Sequence, residues 1–392
     1  MEPQIIYLQD LEELVSSLNN KNIEKTIFNL INFFDYAGGI VLPSSRFKNH
    51  VKMFSPKIQN MLETFINTKE DKTHLRSKEY YLNFSCNNEI NKVRQKIPEK
   101  LNEIYDSLEH LESKIDLSNF ETRLLLAALY DHKKHYSMSI FNSYYLSLVK
   151  GDKIDLKNFE SVEEICIQDI VDFYKLVLKG EAVKPQRHTK ESLDFFSKEL
   201  RMPEPTLPSV SKPLGEPTAR KIIIREMDHP IQIILFGGQL LREDGTKKID
   251  FVVNPLSGAL EIGYALKSIY ELLGIDKIGE ILLIKYSKYG EGDEIKENIE
   301  PFVPENKKRK LQQFKGRRIL IIDDNTFTGN TLYELKEMCK SYSNNVGISA
   351  IERRTDIDEK RKIEYEELDI KPISKLRYIE KVMRYIQENN LA

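Results

Sequence analysis

The chain has 392 residues, of which 40% are hydrophobic, 31% charged and 9% aromatic. This composition is typical of globular proteins and excludes a chain that stays disordered, and the length favours two domains. Lys and Arg total 59 against 61 Asp and Glu, a formal net charge of -2, so no global basic field draws the protein non-specifically onto nucleic acid.

The cysteines and the N-terminus indicate the compartment. Cys86, Cys166 and Cys339 are far apart and form no CxxC pair, which argues against a disulfide framework and a structural zinc site and favours a reducing environment. The first residues carry acids where a signal peptide needs a basic flank, and no segment reaches the roughly 18 uninterrupted apolar residues of a membrane span. We therefore expect a cytoplasmic protein.

The first half of the chain has a helical pattern. From Asp10 to about Lys198 apolar residues recur at spacings of three and four, as in Ile23 to Phe34 and Phe120 to Val149, with almost no alternation of period two. We predict an all-α domain over residues 1–200. The segment HKKH places His132 and His135 three positions apart on a helix, a spacing that metals use, but no carboxylate or third histidine accompanies them. A solvated basic face is the favoured interpretation.

A proline-rich segment separates this half from the rest. Met202 to Pro217 contains five prolines in a short polar run, which favours an extended linker over residues 201–220. After it, over residues 221–392, short β-branched runs alternate with helical stretches, the signature of an α/β domain with a mostly parallel sheet. The runs predicted as strands are KIIIRE, IQIILF, IDFVVN, ILLIKY, RILIID and VGISAIE, and a basic helix is predicted over Ile373 to Gln387.

The most informative segment is RILIIDDNTFTGNTL, from Arg318 to Leu332. An apolar strand delivers Asp323 and Asp324 into a turn of threonine, asparagine and glycine that opens a helix. In parallel sheets, ligands bind at this end of the strands, and the amides and hydroxyls of the turn form a phosphate cradle. Paired acids beside such a cradle suit a sugar phosphate. The sugar hydroxyls donate hydrogen bonds to the carboxylates, or the carboxylates bind the sugar phosphate through Mg²⁺. The alternative is a capped turn without a ligand.

This segment matches neither the Walker A loop nor the GxGxxG fingerprint, but it resembles the PRPP-binding motif of type I phosphoribosyltransferases. That motif is an apolar strand, two acids, a short variable piece and a Thr-Gly-x-Thr turn, here Thr328 to Thr331. The resemblance implies that Asp323 and Asp324 orient the ribose and bind Mg²⁺. It also implies that the 5′-phosphate is bound by Asn325, Thr326, Phe327, Thr328, Gly329, Asn330 and Thr331.

Two further segments follow the order of the family. Ile249 to Leu266 is again strand, glycine turn and helix, and the resemblance implies that Leu256, Ser257, Gly258 and Ala259 bind pyrophosphate, with their backbone amides as donors. Ile281 to Ile295 resembles the strand and catalytic loop of orotate phosphoribosyltransferase-like members, in which Lys285 and Lys288 would neutralise charge on the departing pyrophosphate. The resemblance covers only about Lys221 to Asp356.

Two departures from the family lie in the predicted binding turns and so concern turnover more than the fold. The family has small or aliphatic residues where this chain has Asn325, Thr326 and Phe327. It has a second glycine where this chain has Ala259.

Two basic positions are weaker candidates. KKRK, from Lys307 to Lys310, is typical of a solvated edge or mobile loop, but Arg309 is a candidate pyrophosphate contact if that loop closes. Arg353 follows the strand VGISAIE where orotate-type members have an acid and an arginine that contacts the base, so it is a candidate acceptor-binding residue. A salt bridge at a strand end is the alternative for Arg353.

We therefore predict an α+α/β two-domain chain: an N-terminal all-α domain followed by a type I phosphoribosyltransferase-like α/β domain. The function that the resemblance implies is Mg²⁺-dependent transfer of 5-phosphoribosyl from PRPP to a nucleobase-like acceptor, with release of pyrophosphate. The alternative is a PRPP or nucleotide sensor, or an effector of a bacterial regulatory or defence system, whose helical domain binds a protein partner. No membrane partner is expected, a nucleic-acid partner is disfavoured but left open, and a homodimer is also left open.

Overall fold

The computed structural model describes residues 83–84, 97–99, 101–109, 120–149, 151–179, 181–198, 220–221, 230–256, 259–286, 301–326, 330–353 and 368–369. These residues divide into two compact units, one containing those up to Lys221 and the other those from Pro230 onwards. The predicted linker over 201–220 and the predicted helix Ile373 to Gln387 lie almost wholly outside the described residues, so the domain boundaries stay predictions.

The second unit is an α/β unit in which helices alternate with strands. Its strands are β3 (Ile249–Leu256), β4 (Ile278–Lys285), β5 (Arg318–Thr326) and β6 (Asn345–Arg353). Its helices are α4 (Pro230–Asp244), α5 (Leu260–Leu272), α6 (Glu305–Gln312) and α7 (Asn330–Lys340).

The four strands form one sheet in the order β4-β3-β5-β6, and every neighbouring pair is parallel. Strands β3, β4 and β5 are rich in Ile, Val and Leu and mostly buried, as expected when helices cover both faces of a parallel sheet. The predicted α/β architecture is confirmed for this unit.

Helices cover both faces of the sheet. On one face, Phe251, Val253, Ile319 and Ile321 join a buried cluster with residues of α6 and α7. On the other face α5 lies against β3, β4 and β5, with α4 beside it. The hydroxyl of Tyr270 ties these two helices together by donating to the carbonyl oxygen of Gly237 at 2.7 Å.

One predicted strand is wrong. The run IQIILF, from Ile231 to Phe236, lies in helix α4. Its described apolar residues Ile233, Phe236 and Leu240 are all fully buried, and their spacing of three and four is the period of a helix that buries one face. The β-branched content suggested a strand because the run is too short to show its period by itself.

The basic run KKRK is also placed differently from the prediction. It lies in helix α6, which carries the buried Leu311 on its inner face. The Nζ atom of Lys310 is 2.7 Å from a carboxylate oxygen of Glu280. These charges therefore form the outer face of a crossover helix and not an edge or a loop.

Ion pairs anchor the amino end of the sheet. The buried Lys277 binds Asp244 at 2.8 Å and the carbonyl oxygen of Gly245 at 2.6 Å, and Arg318 binds the other oxygen of Asp244. Burial alone would raise the pKa of Asp244, but the hydrogen bonds from Arg318 and Lys277 outweigh it and the pKa is lowered. This cluster holds the end of α4 against the sheet, away from the strand ends where ligands bind.

The first unit is mainly helical. It contains helical residues 97–99 and 101–109, and then α1 (Phe120–Val149), α2 (Leu156–Lys179) and α3 (Lys190–Lys198). The predicted helical pattern holds for these segments. Two short strands, β1 (Asn83–Phe84) and β2 (Arg220–Lys221), form an antiparallel pair. The predicted strand KIIIRE starts at Lys221 and otherwise lies outside the described residues, and its pairing with residues 83–84 was not predicted.

The prediction of a solvated basic face at HKKH is wrong for its two lysines. Lys133 and Lys134 are fully buried. The Nζ atom of Lys133 lies 2.8 Å from Asp169 and 3.6 Å from Asp172 on α2, and that of Lys134 lies 4.3 Å from the ring centroid of Phe173. Charged residues are rarely fully buried unless they are paired. Here the partners lie on α2, which is distant in sequence from the two lysines.

The same polar cluster extends beyond the lysines. Ser137 donates to Asp169, and Nε2 of His188 lies 3.0 Å from the hydroxyl oxygen of Ser137. The hydroxyl therefore links a carboxylate on α2 to an imidazole on the segment before α3.

No helix in the described ranges is long and apolar enough to cross a membrane.

Candidate ligand site at the carboxyl edge of the sheet

The strand order creates a switch point between β3 and β5. From β3 the chain moves outward to β4 on one side, and then returns to β5 and moves outward to β6 on the other side. In open parallel sheets, the crevice for a ligand lies outside the carboxyl ends of the two strands at which this reversal occurs. The two turns singled out by the sequence, after β3 and after β5, flank this crevice.

The register shows that the sheet opens at this point. Pairing between β3 and β5 extends only to Val253 opposite Ile321. On the outer sides, β3 stays paired with β4 to Leu256 opposite Lys285, and β5 stays paired with β6 to Thr326 opposite Arg353. At its carboxyl edge the sheet is therefore paired at both outer pairs, and its central pair is open beyond Val253 and Ile321.

A side chain bridges the opening where the ladder ends. The Nδ2 atom of Asn254 donates to the carbonyl oxygen of Ile322 at 2.8 Å, and Asn254 is fully buried. The next residue, Pro255, has no amide N–H and so cannot donate a ladder bond. The side-chain amide thus stands where a backbone hydrogen bond would otherwise continue the sheet.

The paired acids lie at the end of β5. Asp323 is partly exposed, whereas Asp324 is only 2% exposed. The amide of Asp324 donates to a carboxylate oxygen of Asp323 at 2.9 Å. The Oδ2 atom of Asp324 is buried and has no hydrogen-bond partner in the described part of the chain. A buried carboxylate oxygen without a donor is costly, and a ligand hydroxyl or a cation at the edge would satisfy it.

Strand alternation places three polar side chains on one face of the sheet. Residues at alternate positions share a face, and the strand residues of the cluster beneath α6 and α7 occupy the opposite positions from Asn254, Lys285 and Asp324. These three side chains therefore belong to the face covered by α5. Gly263 of α5 confirms this side, since a Cβ there would lie 2.2 Å from Oδ1 of Asn254.

Lys285 brings a positive charge to the start of the turn after β3. Its Nζ atom lies 3.4 Å from the carbonyl oxygen of Leu256, the last residue of that strand. The backbone of Lys285 also exchanges two hydrogen bonds with Phe302, at 3.0 and 2.8 Å. Phe302 therefore lies beside the carboxyl end of β4. Lys288 lies outside the described residues.

The turn after β3 is described only at its ends. Ser257 and Gly258 lie outside the described residues. Leu256 is a buried strand residue, and the amide of Ala259 already donates to the carbonyl oxygen of Pro255 at 3.3 Å. The Ala259 amide therefore already has an acceptor inside the turn, and its contact with pyrophosphate stays a prediction. Helix α5 begins next without a side-chain cap, and its first residues include the fully buried Glu261.

The turn after β5 starts later than the sequence suggested. Asn325 and Thr326 were predicted as part of the phosphate turn, but they continue β5 and pair with Glu352 and Arg353. Phe327, Thr328 and Gly329 lie outside the described residues. Helix α7 starts at Asn330, and Thr331 in its first turn is partly exposed.

The two weaker candidates are placed differently from each other. Arg353 ends β6 beside Thr326 and so lies at the same edge as the acids. Arg309 is exposed on α6, next to Lys310, whose partner Glu280 lies near the start of β4. Because Lys285 ends the same strand, Arg309 lies toward the opposite end, and the structure does not bring it to the crevice.

Sequence reasoning missed Asn254 and Glu261. Both lie in the segment predicted to carry the diphosphate turn, and both are fully buried. The available signal was a polar residue near the end of the strand IDFVVNPL, in which only Asp250 is otherwise polar. A buried polar residue in a core strand needs a hydrogen-bond partner, which the sequence cannot identify.

The acids are compatible with the predicted Mg²⁺. The available oxygen of Asp324 and the neighbouring Asp323 are hard oxygen ligands of the kind Mg²⁺ prefers. No group of three or more His, Cys, Asp or Glu side chains suited to a metal occurs among the described residues. A magnesium ion at this edge would therefore take its remaining ligands from the substrate and water.

No protein-family model matches the chain, and no curated protein matches it. Among solved structures, a match is the crystal structure of purine phosphoribosyltransferase from Pyrococcus horikoshii Ot3. It is 19% identical, the match covers 34% of this chain and 77% of that chain, and the TM-score is 0.23. At that TM-score the likeness supports neither fold nor function, so the assignment of the site rests on the sheet topology and the residues at its edge.

Proposed function

We propose that the α/β unit binds PRPP and transfers its 5-phosphoribosyl group to a nitrogen of a nucleobase-like acceptor. The observation that carries the proposal is the position of the two turns. The paired acids near the end of β5 and the end of β3, from which the two turns start, flank the opening between β3 and β5, which is the switch point of the sheet. A ligand with a phosphate at one end and a diphosphate at the other spans such an opening.

The reaction asks for positioning and charge stabilisation. The bond between ribose C1 and the pyrophosphate oxygen breaks, and its electron pair leaves with pyrophosphate. The acceptor nitrogen forms the new bond to C1 and loses its proton to solvent. Because the transition state is oxocarbenium-like, the protein contributes by holding the reactants in line and neutralising the leaving group.

The residues at the edge have distinct roles in this proposal. Asp323 and Asp324 accept hydrogen bonds from the ribose hydroxyls, and residues 327–331 hold the 5′-phosphate. Ser257 and Gly258 donate backbone amides to the diphosphate, and Lys285, whose Nζ atom lies 3.4 Å from the carbonyl oxygen of Leu256, neutralises its charge. Arg353, at the end of the neighbouring strand, contacts the acceptor.

Mg²⁺ belongs to the same proposal. Held by Asp323 and Asp324 together with substrate oxygens, it would withdraw charge from the departing diphosphate. Asp324 meanwhile orients the sugar with its buried carboxylate.

The test measures PRPP binding and turnover on the full chain. PRPP with Mg²⁺ should raise the melting temperature of the wild type. At a hundredfold excess of ligand over Kd, the free energy of unfolding should increase by about 2.7 kcal/mol. Pyrophosphate release is then followed with a panel of purine and pyrimidine bases. Absence of any thermal shift at millimolar PRPP would overturn the proposal. Binding without release for any base would assign the unit to the class of PRPP sensors.

The double variant Asp323→Asn/Asp324→Asn separates ligand binding from a structural cap. Its melting temperature without ligand should not fall, because Asn keeps the size and removes a buried charge. Its PRPP affinity should fall more than tenfold, since each charge-assisted hydrogen bond contributes about 1.5 to 3 kcal/mol. Asp250→Asn, at the amino end of β3 where Asp250 accepts from the Arg318 amide, is the matched control and should leave PRPP affinity unchanged.

A further inference from the structure

The opening between β3 and β5 must have a defined width for one ligand to contact both turns. The diphosphate turn follows β3 and the sugar-phosphate turn follows β5, but the backbone ladder between these strands stops at Val253 and Ile321. Beyond that rung, the separation of the two turns depends on side-chain contacts between β3 and β5.

Asn254 is the side chain that makes this tie. Its hydrogen bond of 2.8 Å to the carbonyl oxygen of Ile322 is one residue beyond the last rung. Ile322 immediately precedes Asp323, and Asn254 lies two residues before Leu256, where the other turn begins. A change in this one bond therefore displaces both halves of the site relative to each other.

Helix α5 holds the Asn254 side chain in place. A Cβ on Gly263 would lie 2.2 Å from Oδ1 of Asn254 and 3.1 and 3.3 Å from two carbons of Ile281. Only glycine leaves room for the amide at this position. Since Asn254 is fully buried, water does not compete for its hydrogen bond, and the orientation is set by packing on one side and by Ile322 on the other.

We propose that Asn254, held by Gly263, is a positioning residue that sets the spacing between the diphosphate half-site and the sugar-phosphate half-site. The inference rests on the proposed function, because it concerns the same ligand. It adds that the two half-sites are separately formed and that, beyond the last rung at Val253 and Ile321, the buried amide of Asn254 joins the strands that carry them. A linked ligand gains affinity over its fragments only when both sites can be contacted at once.

The test compares PRPP with its two fragments, pyrophosphate and ribose 5-phosphate, each with Mg²⁺, by calorimetry. In Asn254→Ala, each fragment should bind within about twofold of the wild type, while PRPP should lose about tenfold or more in affinity, since the linkage advantage is lost when the geometry is wrong. Equal losses for all three ligands would show general damage and overturn the inference. Unchanged PRPP affinity would also overturn it. A wild type that binds none of the three would instead mean that the proposed function is wrong.

A double-mutant cycle tests the role of Gly263. Gly263→Ala should weaken PRPP in the wild-type background, because the new methyl displaces the Asn254 amide. The same substitution should add little in the Asn254→Ala background, since residues that act through one contact are not additive. Gly237→Ala on α4 is the matched control: its Cβ would meet a Leu266 side-chain carbon at 3.2 Å, in the contact between α4 and α5, and should leave PRPP binding unchanged. Additive losses in the cycle would contradict the proposed path through Asn254.

Discussion

The ammonium of Lys285 lies 3.4 Å from the carbonyl oxygen of Leu256, so the end of β4 supplies a positive charge to the turn after β3. If that turn holds a diphosphate, Lys285→Met should lower pyrophosphate affinity about tenfold or more, the value of a charged hydrogen bond. Ribose 5-phosphate should bind as before, because its site lies after β5. Calorimetry with each ligand measures the difference.

Lys310→Met is the control for this prediction. Lys310 pairs with Glu280, near the other end of β4, and its loss changes the net charge equally. An equal fall in pyrophosphate affinity in both variants would mean that Lys285 acts only through the net charge of the protein and not through a contact with the ligand.

The buried Lys133 should be essential for the stability of the helical unit. Lys133→Met leaves Asp169 and Asp172 buried without their countercharge, and breaking a buried ion pair from one side costs about 3 to 5 kcal/mol. Burial already raises the pKa of Asp169 in spite of the nearby Lys133. Thermal melts should show a large loss for Lys133→Met and partial recovery for Lys133→Met/Asp169→Asn. Lys153→Met, at an exposed position, should have almost no effect, and a comparable loss there would contradict the prediction.

His188 should make stability depend on pH. Burial, together with the charge of Lys133, lowers the pKa of His188 to about 3, whereas an unfolded histidine has a pKa of about 6.5. Between these two pKa values the unfolded chain binds a proton at His188 and the folded chain does not. The contribution of His188 to the free energy of unfolding is therefore complete above the unfolded pKa of about 6.5 and falls as the pH drops toward 3. The slope is at most about 1.4 kcal/mol per pH unit.

The variant His188→Gln isolates this contribution. The advantage of the wild type over the variant in melting temperature should shrink between pH 7 and pH 5. Asp169 and Asp172 are present in both proteins, so their own titration largely cancels in the difference. A constant difference across this range would show that His188 is not held neutral by its surroundings.

The proline-rich segment from Met202 to Arg220 should be the first site of cleavage in mild proteolysis. Exposed proline-rich linkers are cut before packed helices, and the described residues from Pro230 onwards belong to a different compact unit from those up to Lys221. Mass spectrometry of the fragments locates the cut. Early cleavage inside α1 or α2, with this segment intact, would contradict the predicted linker.

Strands, helices and the residues at their ends could be predicted where the pattern depends on residues adjacent in the chain. The run from Ile319 to Ile322 forms a buried strand, the acids follow at its carboxyl end, and α7 begins just beyond the turn. Lys285 also ends the predicted strand. Where the pattern was short, it failed: Ile231 to Phe236 is helical because its buried face continues to Leu240, which a six-residue window does not include.

The sequence by itself determined that apolar strands alternate with helices and that acids and a glycine turn follow one of them, because these properties depend on residues adjacent in the chain. Only the tertiary structure decided that β3 lies beside β5, that Asn254 reaches Ile322 across 68 positions, and that Lys133 meets Asp169 in a core. Strand order and helix pairing depend on which buried surfaces fit together, and a buried polar side chain acquires its role from a partner distant in sequence.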